Sequence, residues 1–232
     1  MQPGLLWAVG AAILWGVEPV LVDEAMDELP SIPLNAWRNL GAVLFSLPIA
    51  LISSRVLPDR RSLALIAASG AISQGIGMVT YSEAIHRSGP GKAVPIVQTF
   101  VFWAQLLGFT LFGEEITKVT LLGVLLAMAG VWLVAGGGGR ADPTGLAAAF
   151  LTSILWASGD ALARAALFNI SPISANAWRS LMMFLSFTAL SSSSRHRIHV
   201  SRKSTALAGF SGFIGLGVAL FLYYRAMWEV AR

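Results

Sequence analysis

The chain has 232 residues, of which 56% are hydrophobic and 12% charged, with a formal net charge of +4. A soluble domain is about a quarter charged, so half the usual charge is missing; with a mean hydropathy of +0.70, this excludes an ordinary water-soluble globule and fits a polytopic membrane protein. The chain has no cysteine, and its three histidines (His86, His196 and His199) are scattered, so disulfides and thiolate metal sites are excluded and no metal site is predicted.

Apolar blocks long enough to cross a bilayer are bordered by charged or Gly/Pro-rich stretches. In chain order they fall at about 5–22, 35–53, 63–86, 93–113, 119–136, 145–165, 174–191 and 205–229. Runs of this length without period-two alternation are helices, because lipid leaves backbone polar groups no other partner. The first block has no positive n-region and runs on into a Trp/Glu/Pro-bearing helix, so it does not read as a cleavable signal peptide. The separators differ in chemistry: "DEAMDELPSIP" (23–33) is acidic, "SSRVLPDRRS" (53–62) is basic and "RSGPGK" (87–92) is a tight turn. "GGGGRADPTG" (136–145) is the natural hinge, since its glycines cannot hold a helix.

The chain repeats itself across that hinge. "NAWRNL" (35–40) recurs as "NAWRSL" (176–181), and "ILW" (13–15) as "ILW" (154–156). "SGAISQG" (69–75) recurs as "SGFIGLG" (211–217), and "YSEAI" (81–85) as "YYRAM" (223–227). Blocks 1, 2 and 3 therefore correspond to blocks 6, 7 and 8. The expected fold is an all-α polytopic membrane protein of two five-helix repeats, the second incomplete, with about eight transmembrane helices. The expected division is 1–136 for the first repeat, 137–144 for the linker and 145–232 for the second. An odd-numbered unit ends on the opposite face from its start, so its duplicate inserts upside down. Inverted repeats of this kind recur in secondary transporters. Arg55, Arg60 and Arg61 place the second loop, and with it the N-terminus, in the cytoplasm. Arg195, Arg197, Arg202 and Lys203, in the loop that inversion puts outside, point the other way.

Several of these stretches are similar to one family. "LFGEEITKVTLLGVLLAMAGVWLV" (111–134) resembles the end of the EamA repeat of the drug/metabolite transporter superfamily, where a Gly-Glu-x-Ile-Thr turn leads into a Gly-rich last helix. "YSEAIHRSGPGKAVPIVQT" (81–99) resembles its helix 3–4 junction, and Trp15-Gly16 and Trp37-Arg38 also fit. The resemblance covers the whole chain. It implies ten helices in two inverted repeats, with helices 1–4 and 6–9 around a central cavity, and a role in moving small metabolites, amino acids among them, often outward. Helices 9 and 10 of that pattern are absent here, so the chain reads as truncated.

Ionisable residues inside a span are functional candidates because their burial is costly. Trp15 lies near the middle of the first block with Glu18 about one turn on, and Trp156 and Asp160 repeat the arrangement. Indole faces attract ammonium groups and desolvated carboxylates can take up protons, which suits a cationic or zwitterionic solute. Packing tryptophans and acids at the watery ends of spans are the plainer alternative. Gln74 and Gln98 sit near mid-span, where they either line a cavity or bond between helices. Pro95 is expected to kink its helix. Tyr81/Glu83 and Tyr223/Arg225 are matched by the repeat and are expected at interfaces or in a gate. Arg38 and Arg179 are expected to snorkel to headgroups beside their tryptophans.

Three enzyme-like motifs fail: "GFSG" (209–212) has no following histidine, "ASGD" (157–160) lacks its first glycine and a partner aspartate, and "GPGKA" lacks phosphate-loop spacing. No enzyme and no cofactor are expected. The expectation is a multi-pass cell-membrane secondary transporter that exports or exchanges a small polar, amino-acid-like metabolite. Its partners are the lipid bilayer, a small-molecule solute and a coupling ion such as H+, with homo- or hetero-oligomers open and no nucleic acid. The alternative is a truncated, non-transporting membrane scaffold or partner subunit.

Overall fold

A computed structural model describes residues 3–53, 58–135, 142–193 and 201–230. Arg55, the glycine tract at 136–139, the stretch holding Arg195, His196, Arg197 and His199, and Arg232 lie outside the described residues. The described residues contain helices and no strand: α1 (Pro3–Met26), α2 (Ser31–Ser53), α3 (Arg60–Ser69), α4 (Gly77–Ser88), α5 (Pro90–Val97), α6 (Phe100–Phe112), α7 (Lys118–Ala135), α8 (Pro143–Leu167), α9 (Pro172–Ser193), α10 (Arg202–Gly212) and α11 (Leu220–Val230). Wider, π-helical turns join α3 to α4 (π1, Gly70–Ile76) and α10 to α11 (π2, Phe213–Ala219). Among the described residues each of the eight expected blocks is helical over most of its length, the fourth with a turn at Gln98 and Thr99. The described residues are thus all-helical, which agrees with a polytopic membrane protein. Six helical stretches are long and apolar enough to cross a bilayer: Gly4–Met26, Ser31–Ser53, Arg60–Ser88, Pro90–Phe112, Pro143–Leu167 and Arg202–Glu229. In α9, Asn176, Arg179 and several serines lower the hydropathy.

Local chemistry sets the helix starts. The Asp59 carboxylate accepts from the Arg61 and Ser62 amides, and the Asp142 carboxylate from the Thr144 amide. Ser171, Ser201 and Thr117 hydroxyls do the same for α9, α10 and α7. Pro143 and Pro172 follow two of these caps, where a missing N–H costs nothing. Gly113 ends α6 at φ 68°, a left-handed turn that Thr117 then closes by capping α7. Helix α5 runs through Pro95 to Val97, and the turn of Gln98 and Thr99 that separates it from α6 lies beyond the proline and not at the kink expected of it. Proline removes a hydrogen bond and crowds the preceding turn.

The chain forms two compact units, residues 1–71 with 162–232, and residues 72–161. In the first unit, α2 packs along α9 and across α10 and π2. The α2 crossing is backbone against backbone: a Cβ on Gly41 would overlap the Gly209 carbonyl, and one on Gly212 the Arg38 carbonyl. Small residues permit such approaches in membranes. Helix α1 lies beside α10, π2 and α11, and it runs antiparallel to them, because its end meets Lys203 through Glu24 while Trp15 reaches Gly215. Ile66, Ala163, Ala166, Leu167, Leu220 and Tyr224 form the core of this unit. In the second unit, α4 pairs antiparallel with the first part of α8. Ser88 Oγ donates to the Asp142 carbonyl at 3.3 Å, Thr80 and Thr152 hydroxyls lie 2.8 Å apart, and Tyr81 packs on Trp156.

Candidate functional site

Each unit holds a tryptophan–tyrosine pair on a repeated motif, with Trp15, Tyr223 and Trp156 half-buried and Tyr81 buried. In the first unit, Trp15 of α1 packs against Tyr223 with ring centroids 5.3 Å apart and the planes tilted by 59°. Its Nε1 donates to the Gly215 carbonyl in π2 at 3.1 Å. Gly215 also admits Glu18, since a Cβ there would stand 2.7 Å from Glu18 Cγ. The wider π turn and the absent side chain bring backbone close enough to serve both residues.

Glu18 is 3% exposed and forms an ion pair with Arg38 of α2, itself 1% exposed. Arg38 Nη1 also donates to Asn35 Oδ1 at 3.1 Å. On α9 the second copy of the motif is equally buried: Asn176 donates to the Gly217 carbonyl at 2.9 Å, and Arg179 to the Tyr224 hydroxyl, with the guanidinium over that ring. The expectation that Arg38 and Arg179 snorkel to headgroups is therefore corrected. A carboxylate and a phenol at depth hold the two guanidinium groups inside the protein, which offsets the cost of keeping charge there. Only Trp37 of the two motif tryptophans faces outward, at 41% exposure; Trp178 packs against the core.

Asn35, Arg38, Asn176, Arg179 and Tyr224 were not among the expected site residues. The available signal was the spacing of Asn and Arg, three apart and written twice, which puts both on one helical face. Asn39 and Ser46 extend that buried polar stripe on α2, bonded to the carbonyls four residues back.

In the second unit, Trp156 of α8 stacks on Tyr81 at 4.9 Å and meets Phe100 edge-on at 6.3 Å. Gly77 presses on the indole, where a Cβ would be 2.9 Å from Cδ1 and 3.1 Å from Nε1. Trp156 Nε1 is buried without a hydrogen-bond partner among the described residues. Gln74, on π1, is fully buried with the same standing for both amide atoms. Asp160 is half-buried, one turn beyond Trp156, and Gln98 is half-buried at the α5–α6 break.

The remaining candidates divide by position. Tyr81 is 3% exposed and belongs to the indole cluster. Glu83 pairs with Arg87 at 3.3 Å, and Arg87 reaches Asp142 at 3.7 Å. Arg225 pairs with Glu229 at 2.8 Å and lies over Trp228 at 4.6 Å. Hydrogen bonds from Ser201 and Ser204 hold the Glu28 carboxyl below the ordinary range, and those from the Thr144 backbone and its neighbour do the same for Asp142. Among the described residues, no cluster of His and carboxylates suits a metal ion.

The model of the EamA-like transporter family matches residues 2–136 and 143–230. An uncharacterized transporter of Archaeoglobus fulgidus is 27% identical over 222 residues, covering 94% of this chain and 78% of that protein. The uncharacterized inner membrane transporter YedA of Escherichia coli K12 is 26% identical over 213 residues, 90% of this chain and 67% of YedA. Protein LicB of Haemophilus influenzae is 29% identical over 131 residues, 55% of this chain and 45% of LicB. A crystal structure shares the fold at a TM-score of 0.72 and 19% identity, with 98% of this chain and 78% of the other covered.

Proposed function

The chain belongs to the EamA-like transporter family, and from that premise we propose that it is a secondary transporter moving a small polar, amino-acid-like solute across the cell membrane by alternating access. The observation that carries this reading is the pairing of repeated elements. The first-half helix α1 pairs with the second-half segment α10–π2–α11 through Trp15 and Tyr223. The second-half helix α8 pairs with the first-half helix α4 through Trp156 and Tyr81. Exchange of the two halves turns one pair into the other, which supports a duplicated unit, proposed as two inverted repeats, 1–136 and 145–232. A structure that can exchange two such arrangements has a route to open each side in turn.

Trp15, Glu18, Trp156, Asp160, Gln74 and Gln98 are the proposed solute-handling residues. Glu18 and Asp160 are the proposed proton carriers, with Pro95, Tyr81, Glu83, Tyr223 and Arg225 in gating roles. The Glu18–Arg38 pair supports the coupling role, because protonating Glu18 would release a guanidinium for a solute carboxylate. A cytoplasmic N-terminus is part of this proposal, supported by Arg55, Arg60 and Arg61 of the second loop.

Counterflow into proteoliposomes tests the reading. Labelled amino acids, nucleosides and sugars are offered against an internal pool. Uptake above empty liposomes is expected for a zwitterion, with loss in Glu18→Gln and Asp160→Asn at unchanged folding. Uptake at the empty-liposome level for every class would refute it.

A further inference from the structure

The two repeated tryptophans differ in what surrounds them. Trp15 is satisfied by the Gly215 carbonyl. Gly215 corresponds, through "SGAISQG" and "SGFIGLG", to Ser73, yet Trp156 Nε1 has no hydrogen-bond partner among the described residues. The next matched position differs as well: Leu216 in the second half, 3% exposed, stands where the first half has Gln74, fully buried with both amide atoms unpartnered. The fold thus tolerates an apolar residue at this position of the π turn. The first half instead keeps an amide there, inside a helix of a bilayer, where an unmet polar group is strongly disfavoured.

Gly77, three residues along the chain from Gln74, lies directly against the Trp156 indole. Tyr81, one helical turn beyond Gly77, and Phe100 wall the same ring. We propose that Gln74 and Trp156 form a hydrogen-bonding subsite for an uncharged carboxamide or hydroxyl group of the transported solute. Trp156 supplies one donor, and Gln74 supplies an acceptor and two donors, which is the complement of a carboxamide. Both are neutral, so the subsite selects against a phosphate or a carboxylate at this point. The assignment rests on the transporter reading above and narrows its solute to amino acids of the glutamine and asparagine type.

The test uses the full chain in lipid nanodiscs with 15N-labelled indoles, the Trp156 Nε1 resonance being identified by its loss in Trp156→Phe. L-Glutamine is expected to move that resonance saturably, L-asparagine likewise, and L-leucine, of similar size without the amide, to leave it in place. Gln74→Leu, which installs the residue of the matching position, is expected to weaken L-glutamine binding about tenfold or more, the worth of one or two lost hydrogen bonds. Gln74→Met serves the same purpose if the leucine variant does not fold. A resonance that ignores both amides, moves equally with L-leucine, or titrates unchanged in the Gln74 variant overturns the subsite. A merely structural Gln74 would instead give a more heat-stable Gln74→Leu with unaltered binding. Counterflow of any solute with a silent indole would sink the subsite and leave the transporter; a responsive indole without counterflow would do the reverse.

Discussion

Trp15 and Trp156 occupy the same place in a duplicated sequence and have the same tyrosine partner at nearly the same distance. One has its Nε1 met by the Gly215 carbonyl, next to the Glu18–Arg38–Asn35 contacts. The other leaves its Nε1 without a hydrogen-bond partner among the described residues. Duplication supplies two copies of a scaffold, and divergence at single positions, Ser73 against Gly215 and Gln74 against Leu216, decides which copy is finished by the protein itself. Polar satisfaction is thus a property of the neighbours and not of the motif.

The contrast is broken most severely at the ion pair. Arg38→Met removes the guanidinium paired with the buried Glu18 carboxylate, and a loss of about 3–5 kcal/mol in stability is expected, read from thermal unfolding in nanodiscs. The double variant Glu18→Gln, Arg38→Met is expected to recover most of that loss, since it removes the stranded charge; a double variant no more stable than the single would mean that the pair contributes no coupling. The tryptophans sharpen the comparison. Trp15→Phe and Trp156→Phe delete the same atoms, but only the first discards a hydrogen bond. Trp15→Phe is expected to cost about 1 kcal/mol more than Trp156→Phe, and equal melting shifts would erase the distinction drawn here. The smallest effect lies outside the bilayer. The folded Glu28 carboxyl is held below its ordinary value of 4.5 by Ser201 and Ser204, so its stabilisation is complete above that pH and drains away as pH falls through the folded value. The melting difference between the native protein and Glu28→Gln should therefore be present at neutral pH and shrink on acidification.

Much of the fold was legible because lipid enforces a simple rule: a long apolar block must satisfy its own backbone, and so is a helix. The aromatic pairings were half legible, since the repeat named Trp15, Trp156, Tyr81 and Tyr223 without saying which would touch. The arginines were not legible. A guanidinium a few residues inside a helix reads as a snorkelling side chain until a carboxylate twenty positions away, Glu18, is seen beside it. The π turns were also hidden, because no residue type marks an extra residue per turn, although both fall on the glycine-rich sequence that the repeat singled out. Charge near a helix end is ambiguous in one dimension, and its partner resolves it.

The crossing of α2 with α10 has a mutational consequence. Gly41 and Gly212 each face a carbonyl where a Cβ would stand, and no amino acid is smaller than glycine. Every missense change at these codons is an insertion of atoms into occupied space, so tolerance cannot be graded by side-chain chemistry. In a saturation library the two positions should appear as empty columns beside the more permissive Gly16 and Gly123, around which a Cβ meets nothing within 4 Å.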